Sequence, residues 1–318
     1  MTALNHEIYL ESEEHFDGRL PTQHLGFLLA DLPVAVRGAV SMALCNRSKS
    51  LGKQPNWLKR ASDLRFTSHD GNGLTHLQFQ LPSLNEAASD IYSQGELFES
   101  QRPDGNLTGL DLLMNVVSDI DSGKTDSDSF DPQLLYQVSK FRRFFKGSPF
   151  SGFRIRKSTG DASQEVQVTS VTVDNSLRLY GRTPSPQRVR IVGQLDGIEA
   201  STQRFSLLLD SGERIAGVYP KEISDNLQQL WRKRVLVLGT SVFRASGNLL
   251  RVEAESIDDG ANASKLFSTL PVANGSSRFD PSRLLKSQGP RSGMAAIMGQ
   301  WPGDETDDEI EAALECIS

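Results

Sequence analysis

Two cysteines, Cys45 and Cys316, are the only thiols in 318 residues. They stand far apart without a partner pattern. That excludes a disulfide framework and a cysteine metal site, and predicts a reducing, cytoplasmic setting. No apolar run approaches the roughly 20 residues that a membrane span needs, so no membrane partner is expected. The opening residues, MTALNHEIYLESEEHFDG, are polar and acidic, which predicts neither a signal peptide nor a transit peptide. Histidine is scarce: His6, His15, His24, His69 and His76 form no HxH or HExxH pair and no His/Cys cluster, so surface or partly buried positions are expected. GxGxxG, GxxxxGK[ST] and GxSxG are all missing. Asp119, Asp121 and the carboxylates from Asp126 to Asp131 are interleaved with serine and glycine, and read as a solvated loop. No catalytic constellation, metal site or cofactor site emerges, and a non-enzyme is expected.

The net charge is -6, unlike the positive balance common in nucleic-acid-binding domains. The excess is local. Asp304, Glu305, Asp307, Asp308, Glu309, Glu311 and Glu315 crowd the C-terminus, and without them the chain is nearly neutral, which leaves room for a basic face.

An α+β domain is expected over 1–148. EIYLE (7–11) reads as a strand. The apolar segment 20–48 has helical spacing, with Pro33 marking a break or a new first turn. Residues 63–82 read as a hairpin about Asp70-Gly71-Asn72-Gly73. Thr108 and Asp111 resemble a capping box, and Asp131-Pro132 opens another helix through LLYQVSKFRRFF. A mostly-β domain is expected over 153–258. EVQVTSVTV and SLRLYG flank the turn signal Asp174-Asn175. The order after residue 187 is β-β-β-α-β-β, with turn signals at Ser211-Gly212 and Ser246-Gly247 and glycines inside strands at Gly193 and Gly239. This is the element order of an OB-like five-stranded barrel. Residues 259–293, rich in Gly, Ser, Asn and Pro, read as a flexible linker, and 294–318 as a partner-binding tail.

Two places suit DNA or RNA. The stretch NRSKSLGKQPNWLKR brings Arg47, Lys49, Lys53, Lys59 and Arg60 together around Trp57, with Arg65 following. The barrel offers Arg188, Arg190, Arg204 and Arg214, then Lys233, Arg234, Arg244 and Arg251, with Phe205, Tyr219 and Phe243 for stacking. The alternative is that the aromatics fill the barrel and the arginines solvate it, as the shared face of Phe205, Leu207 and Leu209 favours.

The tail carries the sharpest pattern. Thr306 and Glu309 form a T-x-x-E box, and Asp307, Asp308 and Glu309 fill a first turn where carboxylates favour the helix dipole. Ile310, Ala313, Leu314 and Ile317 make one apolar stripe on a helix too short to stand alone. Trp301, fixed by Pro302 and Gly303, precedes it as an anchor. The segment Gly299, Trp301, Pro302, Gly303, Asp304, Glu305, Thr306, Asp307, Glu309, Ile310, Ala313, Leu314 resembles the C-terminal segment of bacterial antitoxins paired with PIN-domain ribonuclease toxins. PNWLKRASDLRFT and QRVRIVGQLDGI resemble segments of bacterial proteins of no assigned activity.

The resemblance implies that Met298, Trp301, Pro302, Gly303, Asp304, Glu305, Ile310 and Leu314 dock on a small PIN-domain toxin encoded by an adjacent gene. The resemblance also implies an acidic active site, since PIN nucleases hold divalent metal with a carboxylate cluster; an acidic helix is then expected beside that cluster, with Arg283, Lys286 or Arg291 suited to the carboxylates themselves. The expected function is antitoxin-like. The alternative is an OB-type nucleic-acid-binding protein with a partner-recruiting acidic tail.

Overall fold

The strand expected at 7–11 runs further, as β1 (Leu4–Ser12), with His6, Ile8 and Leu10 buried on one side of its pleat. The expected hairpin is β2 (Arg65–Asp70) and β3 (His76–Leu81), paired antiparallel. Two further strands, β4 (Phe150–Lys157) and β5 (Glu165–Thr169), complete an antiparallel sheet in the order β2-β3-β1-β4-β5. Ile8 stands opposite both Leu77 and Ile155, so the apolar residues of three strands share one face. The computed structural model describes residues 4–50, 52–70, 75–93, 102–157 and 165–273. These all lie within one compact unit, Met1–Arg278. The tail and most of the predicted linker lie outside the described residues.

Helices cover the apolar face. The longest is α1 (Thr22–Cys45), which passes through Pro33 without the expected break. Interior proline costs a helix about 3 kcal/mol. Here Leu28, Leu32, Ala35, Val36 and Ala39 are buried on both sides of it, and tertiary packing outweighs that cost. Among the described residues α1 is also the one helix long and apolar enough to cross a membrane, an exception to the run-length expectation, although much of it is buried in the core. After α2 (Asn56–Ala61) and the short turns α3 (Leu84–Ala87) and α4 (Ser89–Tyr92) comes α5 (Gly109–Asp121). Its capping box is as expected: Thr108 N–H donates to Asp111 at 2.8 Å and Asp111 N–H to Thr108 Oγ1 at 3.3 Å. Asp131 caps α6 (Pro132–Ser139), and Phe144 of α7 (Arg142–Phe145) stacks on Phe150 with ring centroids 5.2 Å apart.

The segment read as a hairpin about Asp174-Asn175 is instead α8 (Ser170–Arg182). Thr169 caps it, and Thr172, Val173, Ser176 and Leu179 recur at helical spacing on its buried side. The Ser176 hydroxyl donates to Leu135 C=O at 2.7 Å. A run of β-branched residues thus yields to the cap and to packing against α5 and α6. With β4 and β5 in the first sheet, the α+β part reaches past residue 180, and the expected boundary near 150 falls inside it.

The second sheet is built from β6 (Gln187–Glu199), β7 (Arg204–Leu208), β8 (Arg214–Val218), β9 (Arg234–Phe243) and β10 (Leu249–Asp259). They close into a barrel in the order β10-β8-β7-β6-β9. All neighbours are antiparallel except β8 and β10, which run parallel with Val252 opposite Gly217. A 3₁₀ turn (Lys221–Ile223) and α9 (Ser224–Leu230) link β8 to β9, and Leu227 joins the barrel core of Ile191, Leu195, Leu207, Ile215, Val235 and Val237. Gly239 permits the tightest approach: a Cβ there would lie 2.2 Å from Glu253 O. Beyond β10 the predicted linker does not begin at once. Gly260 N–H donates to Arg234 C=O, a 3₁₀ turn spans Lys265–Phe267, and Ser268 Oγ accepts the Asp210 N–H at 2.9 Å.

Gly239→Ala must push two strands apart. It is expected to destabilise the fold by about 2–3 kcal/mol, read as a lowered urea midpoint at unchanged slope.

Candidate functional site

Among the described residues no three His, Cys, Asp or Glu side chains are grouped as a metal would require. His6 is not a surface or partly buried histidine, because it is fully enclosed. Its Nε2 lies 2.9 Å from Thr108 Oγ1, and Thr108 in turn donates to Asp111 at 2.9 Å. Burial lowers the His6 pKa, opposed by the charge of Asp111, so the ring is held neutral as part of the α5 cap. The Cys45 thiol is also buried, and desolvation raises its pKa to about 11, far from the thiolate range that reactivity needs.

The predicted nucleic-acid residues divide into separate groups. Arg47 does not reach solvent: it is buried, and its Nη2 donates to Gln203 Oε1 at 2.6 Å. Desolvation pulls its pKa below the ordinary value. Trp57 is buried in the core, while Lys49, Lys53, Lys59 and Arg60 are exposed. Arg60 Nε donates to Ala87 C=O at 3.0 Å, and Arg65 pairs with Asp63 at 2.7 Å. On the barrel, Arg204 is half-buried, Arg188 pairs with Glu255 at 3.7 Å, Arg214 with Asp196 at 3.0 Å and Arg234 with Asp210 at 2.6 Å. Arg190 is exposed. Phe205, Tyr219 and Phe243 are buried, so none offers a stacking face.

Sequence patterns missed where the basic residues of the barrel converge with the α+β part. Arg251 is 5 % exposed, and its Nη2 donates to Asp131 Oδ2 at 3.0 Å and to Glu253 Oε1 at 2.7 Å. Asp131 also accepts the Ser48 hydroxyl at 2.6 Å, the Ser48 N–H at 3.1 Å and the Leu134 N–H at 3.0 Å. Burial would raise its pKa, but Arg251 and these hydrogen bonds outweigh that and hold it below the ordinary value. Around this pair, Arg102 donates to Glu199 at 2.6 Å, Arg244 pairs with Asp128, and Ser246 N–H donates to Thr125 C=O at 2.9 Å. The β6–β7 and β9–β10 turns are thereby fastened to the α+β part. Asp131 was legible as a helix cap, but nothing in its neighbourhood named a partner 120 residues away.

Beside this seam lies a groove of about 470 Å³ between β8 and the β9–β10 turn, lined by Arg214, Ile215, Ala216, Arg244, Leu249 and Val272 among others. Arg244 and Arg214 are engaged by carboxylates, so its polar walls are largely satisfied and its floor is apolar. A different surface is more open. Trp231, at the end of α9, is 44 % exposed, with the Arg232 guanidinium 5.4 Å from its ring centroid. The run Trp231-Arg232-Lys233 was the available signal. No protein-family model, curated protein or solved structure matches this chain.

Asp131→Ala leaves Arg251 buried without its main partner and is expected to cost about 3–5 kcal/mol. Because the folded pKa of Asp131 is depressed, its contribution is complete above the unfolded value of about 3.9 and is lost as pH falls through the folded one. Urea unfolding at neutral and acidic pH should show a large gap between wild type and variant at neutral pH that narrows below about pH 4.

Proposed function

We propose that this protein is a non-catalytic regulatory protein of antitoxin type, whose C-terminal segment captures a small PIN-domain ribonuclease. The observation that carries the reading is the run Gly299 to Leu314, in which a lone tryptophan, a Pro-Gly break, a capping box and an apolar stripe follow one another. An amphipathic helix of about twelve residues gains little from its own hydrogen bonds and needs a cover for its stripe. Trp301 supplies the anchor, Met298, Ile310 and Leu314 the apolar contact, Pro302 and Gly303 the break, and Asp304 and Glu305 negative charge just ahead of the helix. Arg291 supplies a positive charge suited to acidic residues of the partner.

On this reading the folded part is a support that takes no part in chemistry and works in the cytoplasm. Its barrel is of OB type: the β6-β7-β8-β10-β9 circuit with α9 between the third and fourth strands supports that assignment. A second reading, a nucleic-acid-binding barrel with a recruiting tail, is favoured by the exposed Trp231 beside Arg232 and Lys233.

Burying about 200 Å² of Trp301 contributes roughly 4–5 kcal/mol before ordering costs. Trp301→Ala should therefore weaken the complex about a hundredfold. Ile310→Asp should do similar harm, and Asp308→Ala little. The measurement is co-expression with the product of the adjacent gene, followed by pull-down and titration. Retention of full affinity by a chain ending at Gly289 would falsify the assignment of the tail as the interface.

A further inference from the structure

On the first strand of the barrel Ile191 and Leu195 point into the barrel core, and on the outward side Arg190 and Gln194 are exposed while Val192 between them is fully buried. At one end of this outward face the α9–β9 turn is held hard against β6. Arg232 N–H donates to Leu195 C=O at 2.9 Å, Leu195 N–H to Lys233 C=O at 3.0 Å, and Gln194 Nε2 to Arg232 C=O at 3.0 Å. Lys233 N–H closes the turn on Leu230 C=O at 3.0 Å. This arrangement places Arg232 in the left-handed region, at φ 60°, which a residue with a Cβ adopts only at a cost. The effect of that strained geometry is to project Trp231, Arg232 and Lys233 together, with the guanidinium over the indole.

The same strand carries a second exposed aromatic. The 3₁₀ turn Lys265–Phe267 packs on β6, tied down through Ser268 and Asp210, and Phe267 is 41 % exposed. Among the described residues Arg190, Arg232 and Lys233 take part in no ion pair, while the charge of Lys265 acts on Asp210. The carboxylates bordering the area are committed or lie to one side: Asp210 holds Arg234, Asp196 holds Arg214, Glu255 faces Arg188, and Asp258 sits on β10 next to β9.

We infer that this surface, from Arg190 to the Trp231–Lys233 turn with Lys265 and Phe267 beside it, binds single-stranded nucleic acid. Bases have π faces that stack on an exposed indole or phenyl ring and on a guanidinium, whatever the sequence, while cations interleaved with the rings meet the phosphates. The site lies away from the β6–β7 and β9–β10 turns, which the α+β part already holds, and it uses no tail residue.

The test uses the full-length chain and fluorescence anisotropy of labelled oligothymidylate, oligouridylate and a duplex of equal length at several salt concentrations. Both single strands should bind, more tightly than the duplex, and their relative affinities tell whether DNA or RNA is the ligand. Trp231→Ala should weaken binding about tenfold or more. Arg190→Glu should weaken it and flatten the dependence of log K on log salt by about 0.7 for each phosphate that is no longer neutralised. Arg232→Gly relieves the backbone cost, so it should lose affinity while its Tm is no lower than wild type, a combination that a purely structural role does not give. Trp301→Ala should leave oligonucleotide binding unchanged, which separates this site from capture of a toxin. The inference falls if no single strand binds, if duplex binds as well as single strand, or if folded Trp231→Ala and Arg190→Glu retain wild-type affinity. It falls equally if Trp231→Ala alters only self-association in sedimentation, since the turn is then a protein contact.

Discussion

A carboxylate with almost no exposure, Asp131, is held by four donors drawn from three places in the chain: Ser48 after α1, Leu134 in α6 and Arg251 in β10. A buried charge is tolerated only when its lone pairs are filled and an opposite charge is close. Both conditions bind distant segments to one another. Asp131 starts α6, α6 packs on α1 and α8, and Arg251 carries the barrel into the same point. Around it, Arg102–Glu199 and Arg244–Asp128 repeat the connection at the barrel's two turns, with more solvent and therefore less energy in each.

That joint changes the meaning of the barrel's arginines. In sequence they form a basic population without assigned partners. In the fold most are neutralised, by Asp196, Asp210, Glu255, Asp128 or the Asp131 pair, and Arg47 is buried against an amide. Among the described residues the exposed cations outside any ion pair include Arg190, Arg232 and Lys233 near Trp231, and also Lys49, Lys53 and Lys59. For the single-strand surface proposed above, a net charge of -6 would give ring stacking more weight than long-range attraction.

What could be read from sequence follows the range of the interaction. Thr108 with Asp111 and Asp131 with Pro132 are local devices, and both caps stand where their residue types place them. The strand–turn–strand order after residue 187 is likewise set by alternation and by glycine at the turns, and it yields the barrel. The failures involve tertiary context. The helix α8 opens on Val171, Thr172 and Val173, types that favour strands when isolated, and the Thr169 cap with burial of Val173, Ser176 and Leu179 against neighbouring helices decides otherwise. Pro33 stays inside α1 for the same reason. The burial of Arg47 and Arg251 depends on partners 156 and 120 residues away, beyond any spacing rule. Trp231 was passed over because its segment read only as the helix of the β-β-β-α-β-β order.

The parallel contact between β8 and β10 sets an order of events during synthesis. Antiparallel neighbours joined by tight turns can pair as soon as they leave the ribosome, but β10 can reach β8 only after α9 and β9 have been made and folded back between them. Arg251 lies on that last strand, opposite Ser48 and Asp131, which were made long before. Until it arrives, Asp131 has Ser48 and Leu134 as donors but no counter-charge. The buried pair that joins the α+β part to the barrel can therefore form only once the last strand of the barrel has been made.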